Sequence, residues 1–133
     1  MPFVLDASVT AAWCLRDETA READAALDRL LDDEAVAPSL WWFEVRNILV
    51  VSERRGRIEP ADTDTFLSDL ALLPIRVEGV PNGRQVVALA RKHGLTAYDA
   101  AYLELAVRLG APISTLDRAL AGAARAEGLD FVG

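Results

Sequence analysis

Asp6, Glu44, Asp99 and Asp117 are carboxylates set among apolar or small residues, in VLDASV, LWWFEVRNIL, LTAYDAAYLEL and PISTLDRAL. Most other acids lie in polar stretches such as RDETAREADAALDRLLDDE. Burying a carboxylate is costly unless it is paired, hydrogen-bonded or bound to a metal. Glu44 has no Lys or Arg at i±3 or i±4. Four such acids repel one another unless one protonates or a cation intervenes. All-oxygen ligation selects a hard cation, Mg²⁺ or Mn²⁺. Cys14 is the lone cysteine and His93 the lone histidine, which excludes a zinc site, a Ser-His-Asp or Cys-His triad and a His-based nuclease. Neither G-x-x-x-x-G-K-[ST] nor G-x-G-x-x-G occurs, so a nucleotide cradle is unsupported. What remains is carboxylate-held metal chemistry on a phosphoryl centre.

The elements that must position these acids alternate between strand and helix. PFVLD reads as a buried first strand over roughly residues 3–6, followed by the short helix ASVTAAWCL. TAREADAALDRLLDD is amphipathic, with Ala20, Ala23, Leu27, Leu30 and Leu31 on its apolar stripe. Residues 35–37 form a short second strand. Ser39 caps a long helix that runs to about Arg55 and ends at Gly56, and Pro60 opens the next, with Phe66, Leu67, Leu70 and Leu73 inward. PIRVEG is the third strand, RQVVALARKHG a helix closed by Gly94, and Thr96 opens a helix to Leu109. APIST is the fourth strand, DRALAGAARAEG the last helix and LDFVG a fifth strand. This alternation predicts an α/β fold, a parallel sheet covered on both faces.

On that frame Asp6 and Asp117 each follow a strand, and ligands of open parallel sheets bind at the strands' carboxyl ends. Both also precede helices, where Asp is a favoured N-cap, so capping stays open as their role. Glu104 and Arg108 form an i,i+4 pair that marks the solvent face of its helix. Asp99 lies about 140° from Glu104, on the apolar side with Leu103, and is also placed to be the acid of a capping box with Thr96. In the helix from Ser39, Glu44 lies beside Ile48 and Val51, nearly opposite Arg46 and Glu53. His93 completes a helix C-terminus rather than a catalytic set.

The 133 residues are read as one domain, long enough to bury a core without disulfides. The N-terminus lacks signal-peptide character, no apolar run spans a membrane, and the lone Cys14 fits a reducing cytoplasm. The net charge of −7 argues against non-specific adhesion to nucleic acid or membranes. Its cations are thirteen arginines and the single Lys92.

Through VLDASV, FEVRNIL, LTAYDAAYLELA, STLDRAL and the final LDFVG, the chain resembles PIN-domain ribonucleases over its whole length, and more narrowly VapC-type toxins of toxin–antitoxin pairs. The resemblance implies a three-layer α/β/α fold with a five-stranded parallel sheet of order 3-2-1-4-5. It implies an acidic pocket of Asp6, Glu44, Asp99 and Asp117, with Ser8 and Thr115 at small hydroxyl positions beside it as substrate contacts. It also implies hydrolysis of RNA to a 3′-hydroxyl and a 5′-phosphate. The metal would be held mainly by Asp6 and Asp99, with Asp117 helping to hold that ion or a second one, and Glu44 orienting water or tuning the metal. Arg118 and Arg46 are the rim cations that would offset the pocket's repulsion of RNA.

Two rival readings stand beside this one. A phosphohydrolase forming an aspartyl-phosphate on Asp6 would usually carry a second Asp two positions on, where Ser8 stands, and a Lys after a later strand, whereas Lys92 lies within a predicted helix. The other rival is a non-catalytic interaction module. Trp42, Phe43 and Val50 cluster with Arg46 and Glu53 on one side of the helix from Ser39, which predicts a partner surface. That surface would serve a homodimer or, as the resemblance implies, a VapB-like antitoxin.

Overall fold

A computed structural model describes residues 1–15 and 20–133. The elements in chain order are β1 (Phe3–Leu5), α1 (Ala7–Ala12), α2 (Arg21–Arg29), β2 (Ala35–Ala37), α3 (Leu40–Arg54) and α4 (Pro60–Leu70). They continue with β3 (Ile75–Val77), α5 (Gly83–His93), α6 (Ala97–Leu109), β4 (Ile113–Ser114) and α7 (Arg118–Ala126). The strands form a parallel sheet of order β3-β2-β1-β4. Val4 pairs with Val36 on one side and Ile113 on the other, so β1 is interior. Every residue of β1 and β2 is buried, the continuous apolar run expected of a strand covered on both faces. The helices fall into two packed groups. In one, α1 packs on α2 and α3, and α3 on α4; in the other, α6 packs on α5, α7 and β1. Among the described residues no helix is long and apolar enough to cross a membrane.

The expected fifth strand is reduced to one parallel bridge between Phe131 and Ile113. Ile113 N–H donates to Asp130 O, and its carbonyl accepts from Val132 N–H. The ladder goes no further because the next residue on that side, Ala111, gives its N–H to Ala106 O at the end of α6, and β4 ends after Ser114. Phe131 still lies beside β4, where a fifth strand was expected.

Most helix ends follow their sequence signals. Thr96 Oγ1 accepts from Asp99 N–H at 3.1 Å, Asn82 Oδ1 accepts from Gln85 N–H at 3.1 Å, and Glu59 and Asp62 form a capping box around Pro60. Gly94 and Gly110 end α5 and α6 in the left-handed region, at φ 64° and 61°. Ser39 does not cap α3 with its side chain. Its backbone is already helical, and Pro38 O accepts from Trp41 N–H, so the turn begins before the predicted cap.

Two expected faces are corrected. In α2 the buried residues are Ala23 and Ala26, with Leu30 just beyond, while Leu27 and Leu31 are exposed. The helix stops at Arg29, so Leu31 is not carried round to the core. Thr19, at the predicted start of this helix, lies outside the described residues. In α6 the pair of Glu104 and Arg108 forms at 2.7 Å, but Glu104 is only 1% exposed. Residues Ala100 to Ala106 are all buried, because α6 is covered by α5, α7 and β1 and has no solvent face there.

Candidate active site

Asp6 is the first residue beyond β1 and the N-cap of α1, yet its carboxylate does not cap that helix. Ser8 Oγ and Thr115 Oγ1 both donate to Asp6 Oδ2, each at 2.7 Å. Those hydroxyls are themselves oriented by the loop between β4 and α7. Ser8 Oγ accepts from Leu116 N–H, and Thr115 Oγ1 from Asp117 N–H, both at 3.0 Å. Beneath this arrangement Thr10 Oγ1 donates to Asp6 O and accepts from the indole N–H of Trp41, tying α3 to α1. A buried carboxylate is thus fixed by two hydroxyls, and the loop carrying Asp117 is fixed to it.

Asp117 is the N-cap of α7, its Oδ1 accepting from Leu120 N–H at 2.9 Å. Capping is therefore part of its role, as it is not for Asp6. Asp99 stands in the first turn of α6, half-buried. Glu44, half-buried on α3, accepts at Oε1 from Tyr102 Oη at 2.6 Å. Tyr102 is fully buried and lies three residues after Asp99 on α6, on the same helical face. Its hydroxyl, inside an apolar run at i+3 from a candidate acid, was the signal available in the sequence, and sequence reasoning passed over it.

The four acids feel one another. Burial raises the Asp6 carboxyl above the ordinary value of 3.8, the two hydroxyls and the Ala7 N–H partly offset this, and the charge on Asp117 adds to it. Burial also raises Glu44, opposed by the Tyr102 hydrogen bond and reinforced by Asp6 and Asp99. Asp99 is raised by burial and then by Asp117 and Asp6. No Arg or Lys among the described residues relieves any of the three. The acids therefore share one region of uncompensated negative charge at the carboxyl ends of β1 and β4.

Among the described residues no three His, Cys, Asp or Glu side chains are gathered closely enough to be joint ligands of one ion. The donor set nonetheless fits Mg²⁺ or Mn²⁺ by charge and by oxygen chemistry. Mg²⁺ keeps several waters and is commonly held through only one or two carboxylates and the substrate's phosphates. A cleft of about 600 Å³ lined by Trp13, Cys14, Arg57, Ile58, Asp62 and Phe66 contains none of the four acids. The carboxylates and their shared charge, rather than that cleft, mark the site.

Around this centre, Arg118 is exposed beside Asp117 and makes no ion pair among the described residues. Arg46 is committed elsewhere: its guanidinium lies 3.7 Å from the Trp42 ring centroid and donates to Trp42 O. Trp42, Phe43 and Val50 are exposed. The core face of α3 is neither of the two sides read from sequence but a third, Trp41, Val45, Leu49 and Ser52. His93 ends α5 as expected and meets Glu127 Oε2 at 2.7 Å, as does Lys92, tying α5 to the end of α7.

The model of the PIN domain family matches residues 3–126. The chain belongs to the PIN-domain family. Within it, this PIN domain is of the VapC type: it is 35% identical over 124 residues to Ribonuclease VapC3 of Pyrobaculum aerophilum, a match covering 91% of this chain and 93% of that protein. Its fold is similar to the crystal structure of PAE2754 from Pyrobaculum aerophilum, with a TM-score of 0.72 and 25% identity over 92% of this chain and 84% of that one. The sheet flanked by helices is thus the PIN fold, with four strands of order 3-2-1-4 where five were expected.

Proposed function

We propose that this PIN domain is a divalent-metal-dependent endoribonuclease acting as the toxin of a toxin–antitoxin pair. The observation that carries the reading is the cluster of Asp6, Glu44, Asp99 and Asp117, in which the carboxyls of Asp6, Glu44 and Asp99 are raised by burial and by the charges of their fellow acids, with no Arg or Lys among the described residues relieving any of the three. The 35% identity to a protein named as a ribonuclease points the same way.

Asp6, Asp99 and Asp117 would hold the cation, one or two of them directly and the rest through its bound water. When bound, Mg²⁺ or Mn²⁺ supplies Lewis-acid polarisation and neutralises charge developing on the phosphodiester. Ser8 and Thr115, expected as substrate contacts, have their hydroxyls occupied by Asp6, and their role is to position it. Glu44 orients the attacking water through the oxygen that Tyr102 does not occupy. Water attacks phosphorus, the P–O3′ bond breaks, and the products are a 5′-phosphate and a 3′-hydroxyl. Arg118 draws the RNA backbone toward an otherwise repelling rim.

The partner surface of Trp42, Phe43 and Val50 would take a second copy or a VapB-like antitoxin. The aspartyl-phosphate alternative is disfavoured because Lys92 is paired with Glu127, and Ser8 stands where a second Asp would. The deciding assay is cleavage of RNA by the purified protein. Activity is expected only with Mg²⁺ or Mn²⁺ and is lost in Asp6→Asn with the fold retained. Full activity of Asp6→Asn, after exclusion of contaminating nuclease, would overturn the reading.

A further inference from the structure

A fully buried tyrosine hydroxyl must find an acceptor, and Tyr102 finds it on another helix. Its partner, Glu44 Oε1, is 58 residues away in sequence and only 2.6 Å away in space. A neutral O–H donating to a carboxylate at this distance is a strong, directional bond. Burial, then the charges of Asp6 and Glu44, hold the phenol far above its ordinary value of 10, so it stays a donor at every physiological pH. Glu44 Oε2 has no hydrogen-bond donor among the described residues.

We propose that Tyr102 is the positioning residue for Glu44: by bonding Oε1 in one fixed geometry, it holds the carboxylate in one orientation and leaves Oε2, which has no other donor among the described residues, as the freer acceptor for a substrate water. This deepens the ribonuclease reading and rests on it. Because Asp99 and Tyr102 share one face of α6, that helix sets two of the four acids together, Asp99 directly and Glu44 through the hydroxyl. Glu44 alone, half-buried on α3, has rotamer freedom that would let either oxygen turn toward water. The phenol removes that freedom without adding charge to a region that already has too much of one sign.

The test compares wild type, Tyr102→Phe, Glu44→Gln and the double variant on a single-stranded RNA with Mn²⁺. It is paired with crystal structures of the metal-free wild-type and Tyr102→Phe proteins. Phe keeps the ring and its packing. We expect kcat to fall about 10–100-fold in Tyr102→Phe, the cost typical of losing an outer-shell partner, with KM nearly unchanged. No further loss is expected when Tyr102→Phe is added to Glu44→Gln, and the Glu44 carboxylate should leave its wild-type position in the Phe structure. Full kcat in Tyr102→Phe, or an equal loss on both backgrounds, would overturn the proposal, the latter assigning Tyr102 to packing. If wild type cleaves no RNA under any metal condition, the ribonuclease reading fails instead. The structures then decide alone, and an unmoved Glu44 overturns the positioning role.

Discussion

Thr115 Oγ1 donates to Asp6 Oδ2 at 2.7 Å, across 109 positions of sequence, where β4 and β1 end side by side. The same oxygen accepts from Asp117 N–H, so one hydroxyl both fixes the buried carboxylate and aims the loop that carries another. Ser8 does the same from the other side, through Leu116 N–H. The acidic centre is held by these neutral donors.

Thr115→Val keeps the shape and removes the hydroxyl. It takes a donor from the Asp6 carboxylate and leaves Asp117 N–H without its acceptor. We expect a loss of about 2 kcal/mol in a denaturant melt, the scale for a hydrogen bond to a charged group. Thr115→Ser should stay close to wild type. An unchanged melt for the Val variant would show that the hydroxyl is not the tie.

Asp6, Glu44 and Asp99 all have raised carboxyl values in the folded chain, in each case chiefly through burial. Each binds its proton more tightly folded than unfolded. Their effect therefore favours the folded state most below the ordinary carboxylate values, and that stability is lost as pH rises through the raised values. Asp33, held low mainly by the N-terminal amine, and Glu127, held low mainly by Lys92, act oppositely, but only at more acid pH. The metal-free protein should accordingly melt lower as pH rises above the ordinary carboxylate range. Asp6→Asn should flatten that slope. At neutral pH, Asp99→Asn should raise or preserve the metal-free melting temperature while shrinking the shift produced by Mg²⁺. A large metal-free destabilisation by Asp99→Asn would assign Asp99 to capping α6.

Trp42 is exposed, edge-on to Phe43 with ring centroids 5.0 Å apart, and covered on one face by Arg46. It also borders a small groove with Leu67, Leu70, Leu73 and Ile75. Trp42→Ala should weaken binding of the cognate antitoxin by about 2 kcal/mol or more, the scale of a hot-spot truncation. The isolated chain should lose much less. Calorimetric titration beside a chemical melt reads both, and unchanged affinity with a collapsed melt would place Trp42 in the core.

Glu104 is a fully buried carboxylate whose partner, Arg108, is one turn away and partly exposed. Arg108→Ala should cost about 2–3 kcal/mol by stranding that charge, somewhat less than for a fully buried pair. Adding Glu104→Leu should recover most of the loss. A melt of the double variant no better than the single would mean that Arg108 stabilises through its packing.

The order of elements was legible because each core strand is a continuous apolar run and most helices carry their stop signals, such as Gly94 and Gly110. The four acids stood out because their neighbours could not solvate them. Glu104 was misplaced because an i,i+4 ion pair marks a solvent face only on a helix that has one, and α6 is surrounded there. The fifth strand was overread because Ala111, the next residue facing it, spends its N–H on the end of α6, which no local pattern encodes. Tyr102 offered only a hydroxyl at i+3 from Asp99 in an apolar run; that its acceptor is Glu44 depends on how α6 docks against α3, which no local pattern encodes.

The bond between Thr115 and Asp6 also sets a schedule. Glu44 and Asp99 reach the centre from separate segments, and the hydroxyl that locks Asp6 arrives only with β4, 109 positions later. Contacts so distant in sequence close late, because the loop entropy must be overcome before they form. A chain emerging from the ribosome thus carries Asp6 and Glu44 long before it holds a working centre. For a nuclease that could attack RNA in the cell making it, a centre built on Asp6 would stay inactive until β4 has been made and docked on β1.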